Sequence, residues 1–276
     1  MKYSFLMSVY YKERPEYLKI SIDSMLNQTE KPDEIIIVKD GKLTKELDEL
    51  IEQYKKEYND IFTIVSLEEN MGLGLALNEG IKVARNELIA RMDSDDISKS
   101  TRCEKQVKYL KEHEMCSIVG GQIEEFIDSP DNIEGKRVVP CSDKELKEYM
   151  KKRCPFNHVS VMFRRKDIID VGGYEDFFWN EDYFLWIRMA LKEKRFANLP
   201  DILVAVRVGK DMYQRRGGKK YFLSEVEIQK YMLNQKIINK KIYSMNVLKR
   251  FIVQILLPNR LRGFVFRTFA REKNNN

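Results

Sequence analysis

The sequence predicts an α/β protein with a mostly parallel sheet, flanking helices and a C-terminal helical basic tail. Two observations support this prediction. In the first hundred residues, short apolar runs alternate with segments of helical periodicity, as expected for strands joined by crossover helices. Charge is also uneven along the chain: residues 228–271 contain ten Lys or Arg and no acid, whereas residues 1–227 carry 38 basic and 42 acidic residues.

Four strands are predicted in the first hundred residues. They are Tyr3–Val9, Glu34–Val38, Phe62–Leu67 and Leu88–Met92. Helical periodicity begins at Pro15 and recurs over Thr44–Tyr58 and Met71–Ala84. Strands connected in this way form a parallel sheet, and ligands bind at the carboxyl ends of its strands. Asp40 and the acidic run Asp93-Ser94-Asp95-Asp96 fall at such ends.

Residues 101–218 lose this regular alternation, so we expect them to carry the surface for a second substrate. The predicted elements are a helix over Thr101–His113, strands over Ser117–Ile127, Ile133–Val139 and residues 158–163, and a helix capped by Ser142 and Glu145. The segment Tyr183–Ala190 is apolar nearly all round and predicts a buried helix. Glu181 and Asp182 stand at its start, where acids also occur simply because they favour helix N-termini.

The acidic run at residues 93–96 has two interpretations. Carboxylates on a turn suit Mg²⁺ or Mn²⁺, which are commonly bound by one or two acids together with substrate phosphate oxygens. Alternatively, the run is only a turn before a helix, with Thr101 and Glu104 forming a capping box. A glycine cradle for phosphate is excluded at the first strand, because Gly41 is the first glycine of the chain. A diphosphate bound here would then need a cation and basic side chains.

Composition argues against several other classes. The four cysteines include no Cys-x-x-Cys pair and the chain has two histidines, so we expect no zinc site and a reduced, cytosolic chain. No apolar run reaches the ~18 residues of a spanning helix. The first residues also lack the pattern of a secretion signal.

Seven motifs occur along the chain in a recognisable order. They are Met7-Ser8-Val9-Tyr10, Ser24 to Thr29, Asp40-Gly41, Asn70 to Gly80, Arg91 to Asp96, Gly172-Gly173-Tyr174 and Asn180 to Trp186. Together they resemble the family 2 glycosyltransferases with the GT-A fold, in particular bacterial enzymes of capsule, exopolysaccharide or O-antigen synthesis. The resemblance implies a Rossmann-like GT-A domain over residues 1–218, with a nucleotide-sugar half in residues 1–100 and an acceptor half in residues 101–218.

The resemblance implies roles on the donor side. Residues expected to bind the nucleotide sugar are Ser8, Tyr10, Asp40, Asn78 and Asp93. Asp40 would hydrogen-bond the base, and Asp93 would lie by the ribose and donor sugar. Asp93 and Asp95 form the Asp-x-Asp motif that would hold Mn²⁺ or Mg²⁺. Many relatives carry two acids before the glycine where this chain has Lys39 and Asp40, which leaves UDP, dTDP and GDP donors open.

On the acceptor side, the resemblance implies that Asp182 is the catalytic base, with Glu181 beside it. His158 would lie near the acceptor, although a purely structural histidine remains the alternative. Arg215 and Arg216 are candidates to close over the diphosphate, the alternative being a solvated basic turn. The aromatic run before Glu181 is also what a sugar-binding floor beside a carboxylate would need.

These assignments predict a metal-dependent, inverting glycosyltransferase that uses a nucleotide sugar, first of all a UDP-sugar. Its acceptor would be a saccharide linked to a polyprenyl diphosphate. Two alternatives remain: a non-catalytic membrane-associated scaffold of a polysaccharide assembly complex, and a sugar nucleotidyltransferase. The second would need a glycine-rich first turn, which this chain lacks.

Residues 219–276 are predicted to be a helical, basic tail that associates with a membrane. Val247–Ala270 alternates apolar clusters with Lys and Arg, the pattern of a segment in the interface of an anionic bilayer. The alternative is that these helices dock on the core. Nucleic acid is not an expected partner, because no base-reading motif is present. The predicted location is cytoplasmic, on the inner face of the cell membrane.

Overall fold

One mixed sheet runs through the computed structural model, which describes residues 1–209 and 218–258. Its strands are β1 Tyr3–Val9, β2 Glu34–Lys39, β3 Phe62–Ser66, β4 Leu88–Met92, β5 Ile97–Ser98, β6 Cys116–Phe126, β7 Ile133–Arg137, β8 Met162–Arg164 and β9 Arg195–Arg207. The strand order is β3-β2-β1-β4-β8-β6-β9-β5, and β7 pairs with β6.

Helices flank this sheet. They are α1 Pro15–Leu26, α2 Lys45–Glu57, α3 Leu73–Val83, α4 Arg102–Glu112, α5 Asp143–Met150, α6 Arg165–Asp170, α7 Glu181–Leu191, α8 Lys219–Asn234 and α9 Lys240–Phe251. A 3₁₀ turn spans His158–Ser160, and a π-helical segment, Ile252–Leu256, continues α9.

The first four strands are parallel, as the sequence predicts. Met7 pairs with Met92 and Ser8 pairs with Val38, so the ends of β1, β2 and β4 lie at one edge of the sheet. The register therefore brings Ser8, Asp40 and the start of the acidic turn to the same edge. Beyond β4 the sheet continues with the antiparallel β8, where the second half of the chain begins.

Alternate residues of the strands feed two apolar clusters on opposite faces of the sheet, as the period of two in a strand requires. Phe5 and Met7 point into a cluster with α1, α2 and α4. Leu6 points into a second cluster with α3, α5, α7 and α8, which includes the fully buried Trp186. The predicted buried character of α7 is confirmed.

Local chemistry explains where the structure differs from the predicted elements. The Ser142–Glu145 capping box forms, whereas the Thr101 side chain accepts no capping hydrogen bond and Glu104 instead accepts the hydroxyl of Thr29, at 2.7 Å. The predicted Thr101–Glu104 capping box was therefore wrong, although the acidic run does form a turn before α4.

The prediction of a continuous strand over residues 158–163 was also wrong. Ser160 donates from both its backbone N–H and its hydroxyl to the carbonyl of Asn157, each at 2.8 Å, and these bonds close a 3₁₀ turn before β8 begins. The helix after residue 180 starts at Glu181, so both acids belong to its first turn.

The first part of the predicted tail packs on the core. Ile228, Met232 and Ile238 are buried in the second apolar cluster. Burial of one such side chain contributes roughly 1.5–3 kcal/mol, enough to fasten α8 to the enzyme. Across the described residues, no helix is both long and apolar enough to span a bilayer.

Candidate active site

Asp40 fastens the loop before α3 to the end of β2. Its carboxylate accepts hydrogen bonds from the N–H groups of Met71 (2.7 Å) and Gly72 (3.1 Å) and from Nδ2 of Asn70 (2.9 Å). Gly41 has φ +81°, and a Cβ there would stand 2.8 Å from the Asn70 nitrogen, so glycine is required. Asp40 thus shapes the entrance to α3, and its bond to a nucleotide base stays a prediction. 

Ser8 and Tyr10 lie beside this loop, at the end of β1. Ser8 is half-buried, whereas Tyr10 is exposed. The position of both residues at the carboxyl edge agrees with the predicted donor side, and their contact with a base stays a prediction.

The acidic turn after β4 is held by the last residue of β9. The backbone N–H of Arg207 donates to Asp96 Oδ1 at 2.8 Å, and its Nε donates to the carbonyl oxygen of Asp95 at 3.2 Å. Asp96 is buried and belongs to the turn itself. Asp93 and Asp95 are only half-buried, so their carboxylates are the ones a ligand can reach.

Arg91 links this turn to the interior. Its guanidinium is 2% exposed, Nη1 lies 2.5 Å from Asp93 Oδ2, and Nη2 contacts Oδ1 of the same carboxylate. A paired fork of this kind fixes the direction of the carboxylate as well as its charge. Within the part of the chain that the structure describes, Arg91 Nε has no hydrogen-bond partner.

Glu181 and Asp182 form the first turn of α7, which meets α3 at Gly74. A Cβ on Gly74 would lie 3.1 Å from the Glu181 Cβ, so a small residue lets the two helix ends approach. Oδ1 of Asp182 accepts the N–H of Tyr183 at 2.7 Å, and Oδ2 accepts the thiol of Cys154 at 3.4 Å. The acid therefore has a fixed orientation.

Burial raises the pKa of both acids. Burial, followed by the charge of Asp182, raises the pKa of Glu181 to about 7. Burial also raises the pKa of Asp182, but the hydrogen bonds from Tyr183 and Cys154 and the positive charges of Arg137 and Arg91 oppose this rise. These interactions act against the rise, and the pKa of Asp182 remains above its ordinary value.

His158 and Asn78 both hold Tyr174. His158 Nε2 lies 2.8 Å from the Tyr174 hydroxyl, and burial lowers the pKa of the imidazole well below its usual value, so it is neutral. Asn78 Nδ2 donates a hydrogen bond to the Tyr174 carbonyl at 2.7 Å, and Asn78 Oδ1 accepts one from the Tyr174 N–H at 2.8 Å. Substrate contact by either residue stays a prediction. The predicted Arg215 and Arg216 lie outside the described residues.

The donor set of the acidic turn fits a divalent cation bound together with a substrate. Among the described residues, no group of three or more His, Cys, Asp or Glu could hold a metal alone. Burial and the charges of Asp93 and Glu13 raise the pKa of Asp95 to about 7. A cation would relieve this repulsion, and Mn²⁺ or Mg²⁺ commonly completes its shell with phosphate oxygens and water.

Three residues of the site were missed by sequence reasoning. Arg91 carried a signal, since a charged residue inside the apolar strand Leu88–Met92 must find a buried partner. Cys154 and Arg207 gave no such signal in the sequence, because the fold alone brings Cys154 to Asp182 and Arg207 to Asp96.

The comparisons with known proteins agree with this architecture. The sequence matches the family described as Glycosyl transferase family 2 over residues 4–173. It is 35% identical to an Escherichia coli UDP-Gal:alpha-D-GlcNAc-diphosphoundecaprenol beta-1,3-galactosyltransferase, covering 98% of this chain and 97% of that protein. It is 37% identical to the amylovoran biosynthesis glycosyltransferase AmsE of Erwinia amylovora, over 84% of this chain and 85% of the relative.

Solved structures show the same fold at low sequence identity. Residues 1–349 of S. aureus TarS, in complex with UDP-GlcNAc, superpose with a TM-score of 0.67 at 18% identity, covering 91% of this chain and 73% of that 1–349 chain. The mannosyltransferase PcManGT of Pyrobaculum calidifontis, in complex with GDP-Man and Mn²⁺, superposes with a TM-score of 0.63 at 15% identity. The match covers 95% of this chain and 71% of the PcManGT chain.

The curled mixed sheet and its flanking helices define a glycosyltransferase of the GT-A fold. The chain belongs to glycosyl transferase family 2, and its relatives act in the synthesis of bacterial polysaccharides and their lipid-linked precursors. The predicted family and fold are confirmed. The scaffold and nucleotidyltransferase alternatives find no support.

Proposed function

We propose that this glycosyltransferase moves a sugar from a UDP-sugar to a saccharide carried on a polyprenyl diphosphate, with inversion at the anomeric carbon. One observation carries the proposal: the start of α7 packs on the start of α3, where a Cβ on Gly74 would lie 3.1 Å from the Glu181 Cβ, and the loop that enters α3 is held by Asp40 at the carboxyl edge of the sheet. Donor and acceptor chemistry can therefore meet at this edge. The E. coli relative supports the acceptor class, since its name specifies a lipid diphosphate.

Asp182 is the proposed base. A base must be ionised before it can accept a proton, and the hydrogen bonds from the Tyr183 N–H and the Cys154 thiol favour the ionised carboxylate of Asp182. Asp182 takes the proton of the acceptor hydroxyl as its oxygen attacks the anomeric carbon. The bond from that carbon to the diphosphate breaks, and the nucleoside diphosphate leaves with the electron pair.

On the donor side, Asp93 and Asp95 would hold Mn²⁺ or Mg²⁺, with Arg91 fixing the direction of the first carboxylate. When bound, the cation neutralises charge on the diphosphate leaving group. The Mn²⁺ complex of the structurally similar mannosyltransferase supports this assignment. Ser8, Tyr10 and the loop that Asp40 holds would surround the base.

The C-terminal helices would place the enzyme on the inner face of the cell membrane. On α9 and its π-helical extension, six large apolar side chains are exposed at helical spacing: Met245, Leu248, Phe251, Ile252, Ile255 and Leu256. The exposed Lys240, Lys241 and Lys249 accompany them, and a basic amphipathic face of this kind binds anionic lipid. Residues 1–218 would then be the catalytic domain and residues 219–276 the membrane-associating tail.

Nucleoside diphosphate release from a panel of UDP-, dTDP- and GDP-sugars tests the donor without knowledge of the acceptor. We expect release from a UDP-sugar, lost on chelation and restored by Mn²⁺ or Mg²⁺. In transfer assays, Asp182→Asn should lower kcat by about 10²–10⁴-fold while donor binding is retained. Glu181→Gln is the matched control, with a smaller loss expected. Ordinary turnover of Asp182→Asn would exclude it as the base, and release unaffected by chelation would exclude the cation.

A further inference from the structure

The segment just before the catalytic acids exposes an indole in a strained backbone conformation. Trp179 has φ +55° and is 51% exposed. A bulky residue rarely adopts this left-handed conformation. The exposed part of the indole is also not stabilised by packing in the core. The position therefore calls for a reason other than core packing.

Two hydrogen bonds made by Ser224 of α8 hold this conformation. The buried Ser224 hydroxyl donates to the carbonyl of Phe178 at 2.8 Å and accepts from Asn180 Nδ2 at 3.0 Å. Phe177 is anchored on the other side by stacking on Phe184 at 4.6 Å. The residues on both sides of Trp179 are thus fixed, so its ring is presented to solvent by a rigid frame.

The rings around Trp179 form a layered surface. Phe178 stacks on Trp179 with centroids 4.6 Å apart and planes at 19°, and Lys220 Nζ lies 4.0 Å from the Phe178 ring centroid. Tyr221 borders the indole at 6.2 Å. The surface therefore combines the stacked rings of Phe178 and Trp179 with the ammonium of Lys220, which lies over the Phe178 ring.

We propose that Trp179 is the platform on which the saccharide of the acceptor stacks, with Lys220 binding the diphosphate attached to it. This proposal rests on the proposed function, since it deepens the acceptor side of the same site. Sugar rings present a face of C–H groups that packs on an aromatic ring, and a lysine matches a phosphate charge. Trp179 lies three residues before Asp182, on the segment that enters α7. An exposed Trp could instead enter a bilayer, which the test distinguishes.

The chain contains two tryptophans, and Trp186 is fully buried, so acrylamide quenching of intrinsic fluorescence reports on Trp179. The probes are α-GlcNAc and α-GalNAc diphosphates with short alkyl esters, compared with UDP-sugar alone and with anionic vesicles alone. We expect the saccharide diphosphates to protect the indole, and the other two additions to leave it accessible. Protection of the indole by vesicles alone would overturn the platform. So would the absence of protection by both saccharide diphosphates.

Kinetics with the same probes provides the second test. Trp179→Gly, which relieves the positive φ and should fold, is expected to raise the acceptor KM about tenfold without changing the donor KM, the effect of losing one aromatic anchor. Trp179→Phe should bring the acceptor KM most of the way back to the wild-type value. Tyr58→Ala, an exposed aromatic at the end of α2, is the control. An unchanged acceptor KM in Trp179→Gly would contradict the platform, whereas a wild-type chain that transfers no sugar would contradict the proposed function.

Discussion

The thiol of Cys154 donates a hydrogen bond to Oδ2 of Asp182, over 3.4 Å. Because this bond favours the ionised carboxylate, Cys154→Ala should raise the pKa of the base. A base works above its pKa, so the acidic limb of the pH profile of kcat/KM should move to higher pH. The expected shift is about 0.5 unit, since such a bond contributes roughly 0.5–1.5 kcal/mol.

Cys154→Ser keeps a donor and should restore the wild-type profile. Cys141→Ser, at an exposed position, is the matched control. Superimposable pH profiles of Cys154→Ala and wild type would show that the thiol does not tune the base.

Arg91→Lys should separate charge from geometry in the acidic turn. Lysine keeps the positive charge but loses the fork that contacts both oxygens of Asp93, so the carboxylate is no longer fixed. We expect kcat/KM to fall about tenfold or more, because donor positioning is lost. The matched control is Arg85→Lys, whose partner Glu34 lies away from the site. Equal kcat/KM for both variants would argue against a positioning role for Arg91.

Asp95 should make the metal-free protein less stable as pH rises. Its folded pKa of about 7 lies above the ordinary aspartate value of 3.8, so between these two pH values the folded state holds more protons than the unfolded state and stability falls with increasing pH. At pH 8, Mn²⁺ should therefore raise the Tm of wild type. Asp95→Asn should be more stable than wild type without metal and should respond little to Mn²⁺.

Asp96→Asn provides the contrast, because Asp96 accepts the Arg207 N–H within the turn and a neutral amide oxygen still can. It should retain the Mn²⁺ response. A full Mn²⁺ response in Asp95→Asn would move the proposed cation site elsewhere.

Membrane association should depend on the apolar face of α9. Leu248→Glu with Leu256→Glu places two charges on residues that are 58% and 60% exposed, so folding should be preserved. Flotation with anionic vesicles should fall strongly, and flotation with neutral vesicles should be weak for wild type as well. Truncation is a poorer test, since Asn246 Nδ2 bonds Lys151 and Arg250 pairs with Glu225. Undiminished flotation of the double variant would exclude this face as the lipid contact.

The parallel half of the fold was predictable because its signals are local. Apolar runs and helical periodicity located β1 to β4, and strand direction alone placed Asp40 and Asp93 at one edge. The contacts of Cys154 and Arg207 were not predictable, because each joins residues 28 or more than 100 positions apart through pairing in the irregular half. Periodicity carries no information about such pairs.

The hydrogen bonds of Ser224 join α8 to the segment that leads into Asp182. The C-terminal helices and the N-terminal end of α7 are therefore parts of one rigid block. On a bilayer, such a block acts as a spacer: the height of the base above the lipid headgroups is set by the protein. An acceptor hydroxyl would then be selected by its distance from the lipid anchor. The number of sugars between the lipid and that hydroxyl would therefore help to determine specificity.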